Sequence, residues 1–212
     1  MTRYRVLLAD DHRIVAEGLR GILEEQYDLV GFVEDGRDLV EQALQQGPDI
    51  MVVDITMPRL NGLDAVAQLR AAGCAAKVVF LTMHKDVTYA TAALKVGALG
   101  YVLKHSASED LLKAIQAAVA GQVYVSQEIL NRMEQAHDTT SRAVGSPEIT
   151  IRQREVLQLF AEGLSAKEVA SALGISTRTA ENHKARIMAQ LGLSSSVELV
   201  QYAIRHGFLS TD

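Results

Sequence analysis

Five polar side chains stand at the ends of short apolar runs, where they could do chemistry together. Asp10 and Asp11 follow the run Arg5–Ala9, Asp54 follows Ile50–Val53, Thr82 follows Val78–Leu81, and Lys104 follows Gly100–Leu103. Carboxylates gathered at one edge repel one another unless a cation sits among them. Hard Mg²⁺ takes oxygen ligands, keeps several waters and pairs with phosphate, so it suits such a set. Asp54 can then act as a nucleophile that forms an aspartyl phosphate. The cation would neutralise phosphoryl oxygens, Lys104 would bring a point charge to another, and Thr82 would donate a hydrogen bond to a third. Taken singly, each residue has a plainer reading: an Asp after a strand is ordinarily a turn or cap residue, Lys104 a solvated charge, Thr82 a strand end. Their joint placement is what favours chemistry.

The elements that must position them alternate. Apolar runs of strand length, Arg5–Ala9, Leu29–Val33, Ile50–Val53, Val78–Leu81 and Gly100–Leu103, are separated by stretches with helical spacing, Ile14–Leu23, Leu39–Leu44, Leu63–Leu69, Val87–Val96 and Leu111–Val119. Nearly uniform apolar runs between helices read as a buried parallel sheet with helices on both faces. Five such units predict a flavodoxin-like, doubly wound, five-stranded α/β domain over residues 1–121, whose ligands bind beyond the carboxyl ends of the strands. Residues 122–147 are polar, with Thr-Thr-Ser and Gly-Ser-Pro, and read as a linker; within it, Gln127–Gln135 has the makings of a short helix. Residues 148–212 hold no strand-like run and predict an all-α domain of four helices, near Ile151–Glu162, Ala166–Leu173, Thr177–Leu191 and Ser196–His206. Thr150 and Ser165 sit at N-cap positions, Ser165 with Glu168 as a capping box, and Gly163, Gly174 and Gly192 fall just past helix ends.

Composition narrows the class. At 48% apolar and 22% charged, the chain is ordinary for a globular protein with a core. Cys74 is the only cysteine, so no intrachain disulfide can form. The run Val6–Ala9 is too short for a signal peptide, and no apolar stretch approaches the roughly 20 residues of a membrane span. These features predict a cytoplasmic protein without a membrane partner. The net charge of −5 lies wholly in residues 1–147, whereas residues 148–212 carry 7 Lys/Arg against 7 Asp/Glu. Acidity argues against broad nucleic-acid binding by the first part.

The segments Ala166–Leu173 and Thr177–Leu191, joined by a turn containing Gly174, have helix-turn-helix spacing, with the second helix free to enter a major groove. At about 100° per residue, Ala180, Lys184, Ile187 and Leu191 share the inward face. Arg178, Glu181, Asn182, Ala185, Arg186 and Ala189 point away from it. Arg can read guanine, Asn adenine, and Glu can accept from cytosine, while Lys167 and Lys184 are better placed for phosphates. From periodicity alone, a small bundle with a solvated polar face explains the pattern equally well. In the last helix Val197, Val200 and Ile204 form an apolar stripe, part of which must cover the domain's own core.

The residues go further than the pattern. Leu8-Ala9-Asp10-Asp11-His12, the block from Asp54 to Gly62, Leu81-Thr82 and the block from Gly97 to Lys104 resemble, in order and spacing, the receiver domain of response regulators over roughly Tyr4–Gly121. That resemblance implies phosphorylation at Asp54 by a sensor histidine kinase. It implies Mg²⁺ held by Asp11, Asp54 and the Thr56 carbonyl, with Asp10 acting through water. It also implies a switch in which Thr82 moves toward the phosphoryl group and the Tyr101 ring turns inward. The blocks Thr150–Leu157, Gly163–Ala170 and Ser176–His183 resemble the LuxR-type helix-turn-helix over about Glu148–Phe208, with Ala166 where that family commonly has Asn and Ala180 where it usually has Val. Together they are similar to the NarL/FixJ family of response regulators. The resemblance implies a transcription factor, not an enzyme, that dimerises on phosphorylation, in part through Val197, Val200 and Ile204. It would bind a double-stranded operator through Lys167, Arg178, Thr179, Glu181, Asn182, Lys184 and Arg186, with RNA polymerase as a candidate partner. A phosphohydrolase using aspartyl-phosphate chemistry would need a second carboxylate two residues after the nucleophile, where Thr56 stands. A receiver kept only for constitutive pairing would be expected to have lost one of Asp10, Asp11, Asp54, Thr82 or Lys104.

Overall fold

The computed structural model describes residues 3–138 and 149–209, and these fall into two compact units, the second of which holds the last four helices. In the first, strands β1 (Arg5–Ala9), β2 (Asp28–Val33), β3 (Ile50–Asp54), β4 (Lys77–Thr82), β5 (Gly100–Leu103) and β6 (Tyr124–Val125) alternate with helices α1 (Arg13–Glu24), α2 (Gly36–Gln46), α3 (Gly62–Ala71), α4 (Val87–Lys95) and α5 (Ala107–Val119), and α6 (Gln127–Asp138) closes the unit. The sheet order is β2-β1-β3-β4-β5-β6, and each described pairing is parallel. Reversal of strand order between β1 and β3 opens the crevice where doubly wound sheets hold ligands.

The strands are apolar on both faces because both are covered. Val6, Leu8, Val52, Leu81 and Val102 pack with Ala16, Leu19 and Leu23 of α1 and Leu111, Ala114, Ile115 and Ala118 of α5. Alternate residues Leu7, Met51, Val53, Val78 and Phe80 point the other way and are equally buried. Gly100 belongs to this packing: a Cβ there would lie 2.7 Å from Val79 Cγ1 on the neighbouring strand.

The sheet has one strand more than the expected five. Tyr124 and Val125 pair with Gly100 and Tyr101, and two residues are too short a run to stand out in a sequence. The expected linker at 122–147 therefore begins with structure: β6 and then α6, whose Ile129 is fully buried. Residues 139–147 of that linker lie outside the described residues.

The second unit contains α7 (Ile151–Ala161), α8 (Ala166–Leu173), α9 (Thr177–Leu191) and α10 (Ser196–Arg205) around Val156, Leu157, Leu159, Val169, Leu173, Ile187, Leu199 and Phe208. Thr150 and Ser165 form capping boxes with Gln153 and Glu168, and Ser176 and Ser195 cap the next two helices through the backbone N–H groups of Thr179 and Glu198. Caps of this type are each worth about 1 kcal/mol. Gly174 and Gly192 end α8 and α9 in the left-handed conformation, with φ of 64° and 67°.

Candidate functional site

Asp10 and Asp54 follow one another across the switch point because β1 and β3 are neighbours, paired through Ala9 and Val53. Lys104, one residue past β5, extends between them: its Nζ lies 2.7 Å from Asp54 Oδ2 and 2.9 Å from Asp10 Oδ1. The backbone fixes the carboxylates in turn. His12 N–H donates to Asp10 Oδ1 at 2.8 Å and Thr56 N–H to Asp54 Oδ1 at 3.3 Å. Gly62 N–H donates to the Ile55 carbonyl, and no larger residue fits at 62, where a Cβ would lie 2.0 Å from the Asp54 carbonyl oxygen.

Burial pushes the Asp54 carboxyl up to about 7, against the pull of the Lys104 ammonium and with the neighbouring Asp10 and Asp11 acting in the same sense as burial. Asp11 is also raised, chiefly by burial. Burial opposes the Lys104 charge, yet Asp54 and Asp10 together hold its pKa above the ordinary value. Asp10, Asp11, Asp54 and His12 each offer a ligand atom, all within 4.8 Å of one another. Asp10 Oδ2 is buried and accepts no hydrogen bond among the described residues. Three carboxylates against one ammonium, one of them with an unpartnered buried oxygen, fit a small hard cation.

The expected switch residues converge on His84. Thr82 Oγ1 accepts from His84 N–H at 3.1 Å, the Tyr101 hydroxyl donates to the His84 carbonyl at 2.9 Å, and Thr56 Oγ1 lies 2.7 Å from His84 Nε2. The imidazole stacks on Tyr89 with ring centroids 4.3 Å apart, and burial lowers its pKa. The Tyr101 ring is wholly inside, which raises its hydroxyl pKa through desolvation.

In the second unit, α8, the turn through Gly174–Ser176 and α9 pack as a helix-turn-helix pair. Ala180 and Ile187 are buried and Leu191 half-buried, whereas Arg178, Glu181, Asn182, Ala185, Arg186 and Ala189 are exposed, as is Lys167. Lys184 is otherwise engaged: its Nζ sits 4.7 Å over the Phe160 ring centroid and 3.3 Å from Ser196 Oγ. The Thr179 hydroxyl lies 2.7 Å from that of Ser176 and is drawn into the helix cap. On α10, Leu199 and Ala203 cover the core, Val200 is half-buried, and Val197 and Ile204 are exposed at 65% and 37%.

Comparison with known proteins agrees with both halves. Residues 6–116 match the response regulator receiver domain, and residues 147–203 match the bacterial regulatory proteins of the luxR family. The transcriptional regulatory protein MctR of Rhizobium johnstonii is 34% identical over 98% of this chain and 96% of its own length. The chain belongs to the NarL/FixJ family of response regulators. The oxygen regulatory protein NreC of Staphylococcus aureus is 33% identical over 97% of this chain and 99% of its own. RcsB of Salmonella enterica serovar Typhimurium, solved on a promoter in the presence of phosphomimetic BeF3⁻, is 27% identical over 96% of this chain and 100% of its own, with a TM-score of 0.64.

This response regulator is thus a DNA-binding transcription regulator with a receiver domain rather than a catalytic enzyme. Receiver domains bind Mg²⁺ at an acidic pocket, and the corresponding side chains of the regulator cluster as described. Among the described residues, no helix is long and apolar enough to cross a membrane. Two site residues escaped the sequence reading. His12, whose Nδ1 is 2.8 Å from Asp11 Oδ1 and 3.2 Å from Lys104 Nζ, was signalled only by standing beside the Asp pair. Gly62 was signalled only by closing the block that begins at Asp54.

Proposed function

We propose that the regulator is switched by phosphorylation of Asp54 and that the phosphorylated form dimerises and binds its operator. The observation that carries this is the buried bridge of Lys104 between Asp54 and Asp10 at the β1–β3 crevice. Asp11, Asp54 and the Thr56 carbonyl would hold Mg²⁺, with Asp10 acting through water, and the ion would supply charge neutralisation for the phosphoryl oxygens. A carboxylate oxygen of Asp54 attacks the phosphorus of a sensor kinase's phosphohistidine, and the N–P bond breaks as the O–P bond forms. Lys104 leaves its carboxylate partners for a phosphoryl oxygen, and the Thr82 hydroxyl turns to donate to another. Thr56 and His84, 2.7 Å apart beside Asp54, border the approach of water and set how long the phosphoryl group stays.

DNA is read by the exposed face of α9. Arg178, Glu181, Asn182 and Arg186 meet base edges and Lys167 meets phosphate. Lys184 and Thr179, engaged within the unit, contribute to phosphate contact only by exchanging those partners. The exposed Val197 and Ile204, with the rim of Val200, pair protomers, and two neutral DNA-binding units on one operator gain from effective concentration. The cytoplasm is the place of action, and RNA polymerase is a further partner. Incubation with acetyl phosphate and Mg²⁺ tests the reading: one phosphoryl group is taken up per chain, and the Asp54→Asn variant takes up none.

A further inference from the structure

Helix α6 is tied to the phosphorylation site by contacts that neither ion binding nor DNA reading uses. Glu128, in its first turn, holds two loops at once, with Oε1 3.1 Å from Lys85 Nζ and Oε2 3.3 Å from His105 Nε2. Oε1 also meets Arg132 of the same helix at 3.2 Å. Lys85 directly follows His84, the residue bonded to both Thr82 and Tyr101. His105 directly follows Lys104, the partner of Asp54. One carboxylate therefore spans the two segments that follow Thr82 and Lys104, the residues expected to change partners when Asp54 is phosphorylated. The helix is further held by the buried Ile129, by packing on α4 and by β6 ahead of it. Asp110 of α5 fastens that lead-in by accepting from the Tyr124 hydroxyl at 2.7 Å and the Ser126 hydroxyl at 3.1 Å.

We propose that Glu128 is a positioning residue that couples α6 to the state of Asp54, clamping the helix while Asp54 is unphosphorylated and letting it loosen when Thr82 and Lys104 change partners. The proposal rests on the reading of Asp54 as the phosphoacceptor. A carboxylate that gives a separate oxygen to each loop is satisfied by one relative placement of the loops, so displacement of either weakens the clamp. Exposed ion pairs are individually weak, which makes the clamp releasable, while β6 keeps the chain from leaving altogether. The second unit follows α6 in sequence, so the helix is the first element on the way to it. Linkage is reciprocal: if occupation of Asp54 loosens α6, loosening α6 must favour occupation of Asp54 by the same factor.

The test uses the full chain, with beryllofluoride and Mg²⁺ in place of the phosphoryl group. In the wild type, beryllofluoride should speed hydrogen exchange of α6 amides, including those of Ile129 and Leu130, which are bonded to the Ser126 carbonyl. Glu128→Gln should raise that exchange without beryllofluoride and tighten beryllofluoride binding roughly two- to fivefold, the scale of an exposed ion pair. Lys85→Gln should act in the same direction. Glu134→Gln, the same charge change at an exposed position of α6, should do neither. Wild-type beryllofluoride affinity in Glu128→Gln, or α6 exchange that ignores beryllofluoride in the wild type, overturns the coupling. Failure of the underlying reading looks different: beryllofluoride then does not bind, or binds equally well to Asp54→Asn, and both conclusions fall.

Discussion

Asp54 and Lys104 form a buried ion pair across the ends of β3 and β5, 2.7 Å from Oδ2 to Nζ, with side chains 4% and 3% exposed. Such a pair is held against the cost of burying both charges, and here burial prevails at the carboxyl, whose pKa rises to about 7. A carboxyl raised from its unfolded value of about 3.9 binds more protons in the native state than in the unfolded one. In the metal-free protein the contribution of Asp54 to stability should therefore be fully present below about pH 4 and be lost as pH rises from about 4 to about 7, by a few kcal/mol at most. Thermal melts in a chelator should show this loss, and Mg²⁺ should raise the melting temperature more at pH 8 than at pH 5. The same pH dependence of the metal-free melting temperature in Asp54→Asn would contradict the assignment.

Asp54 is expected to be the sole phosphoacceptor. Acetyl phosphate with Mg²⁺ should add one phosphoryl mass to the wild type. Asp54→Asn labelled at the wild-type rate would exclude it.

Asp11→Ala should abolish phosphoryl uptake through lost Mg²⁺ while leaving the fold intact. Removing one of three neighbouring carboxylates relieves repulsion, although the contact with His12 at 2.8 Å is lost with it. Without metal, the variant should melt at or slightly above the wild-type temperature. A melting temperature well below it would show that Asp11 has a structural role.

Much of this was legible in the sequence because it depends on local rules. Strand ends carried the carboxylates, and serine, threonine and glycine marked the ends of α7, α8 and α9, where the predicted caps are found. What escaped depends on distant neighbours. The strand β6 exists because the exposed edge of β5 offers partners to Tyr124 and Val125; the short helix suggested at Gln127–Gln135 is present as α6, and what the sequence did not show is its anchoring by the buried Ile129 and the Glu128 contacts. Lys184 read as a phosphate contact, but the Phe160 ring over which its ammonium sits lies 24 residues away in sequence.

On the DNA side, Asn182→Ala or Arg186→Ala should cost about 1–3 kcal/mol at a specific site and relax the choice of base there, whereas Lys167→Ala should weaken all sequences alike and reduce the salt slope by about one. Titrations against operator and random duplexes separate the two. Equal losses on both for Asn182→Ala would remove it from the base-reading set.

Control by phosphorylation can be measured as binding to a two-half-site operator, titrated with and without beryllofluoride alongside mass by light scattering. The unit that reads DNA carries as many positive as negative residues, so a single copy should bind weakly, and the gain must come from pairing on half-sites about one helical turn apart. A bias of a few kcal/mol in that equilibrium is enough to switch it. Beryllofluoride should double the mass and tighten operator binding in the wild type and do neither in Asp54→Asn. Mass and affinity unchanged by beryllofluoride in the wild type would contradict control by phosphorylation and leave a constitutive DNA-binding protein in its place.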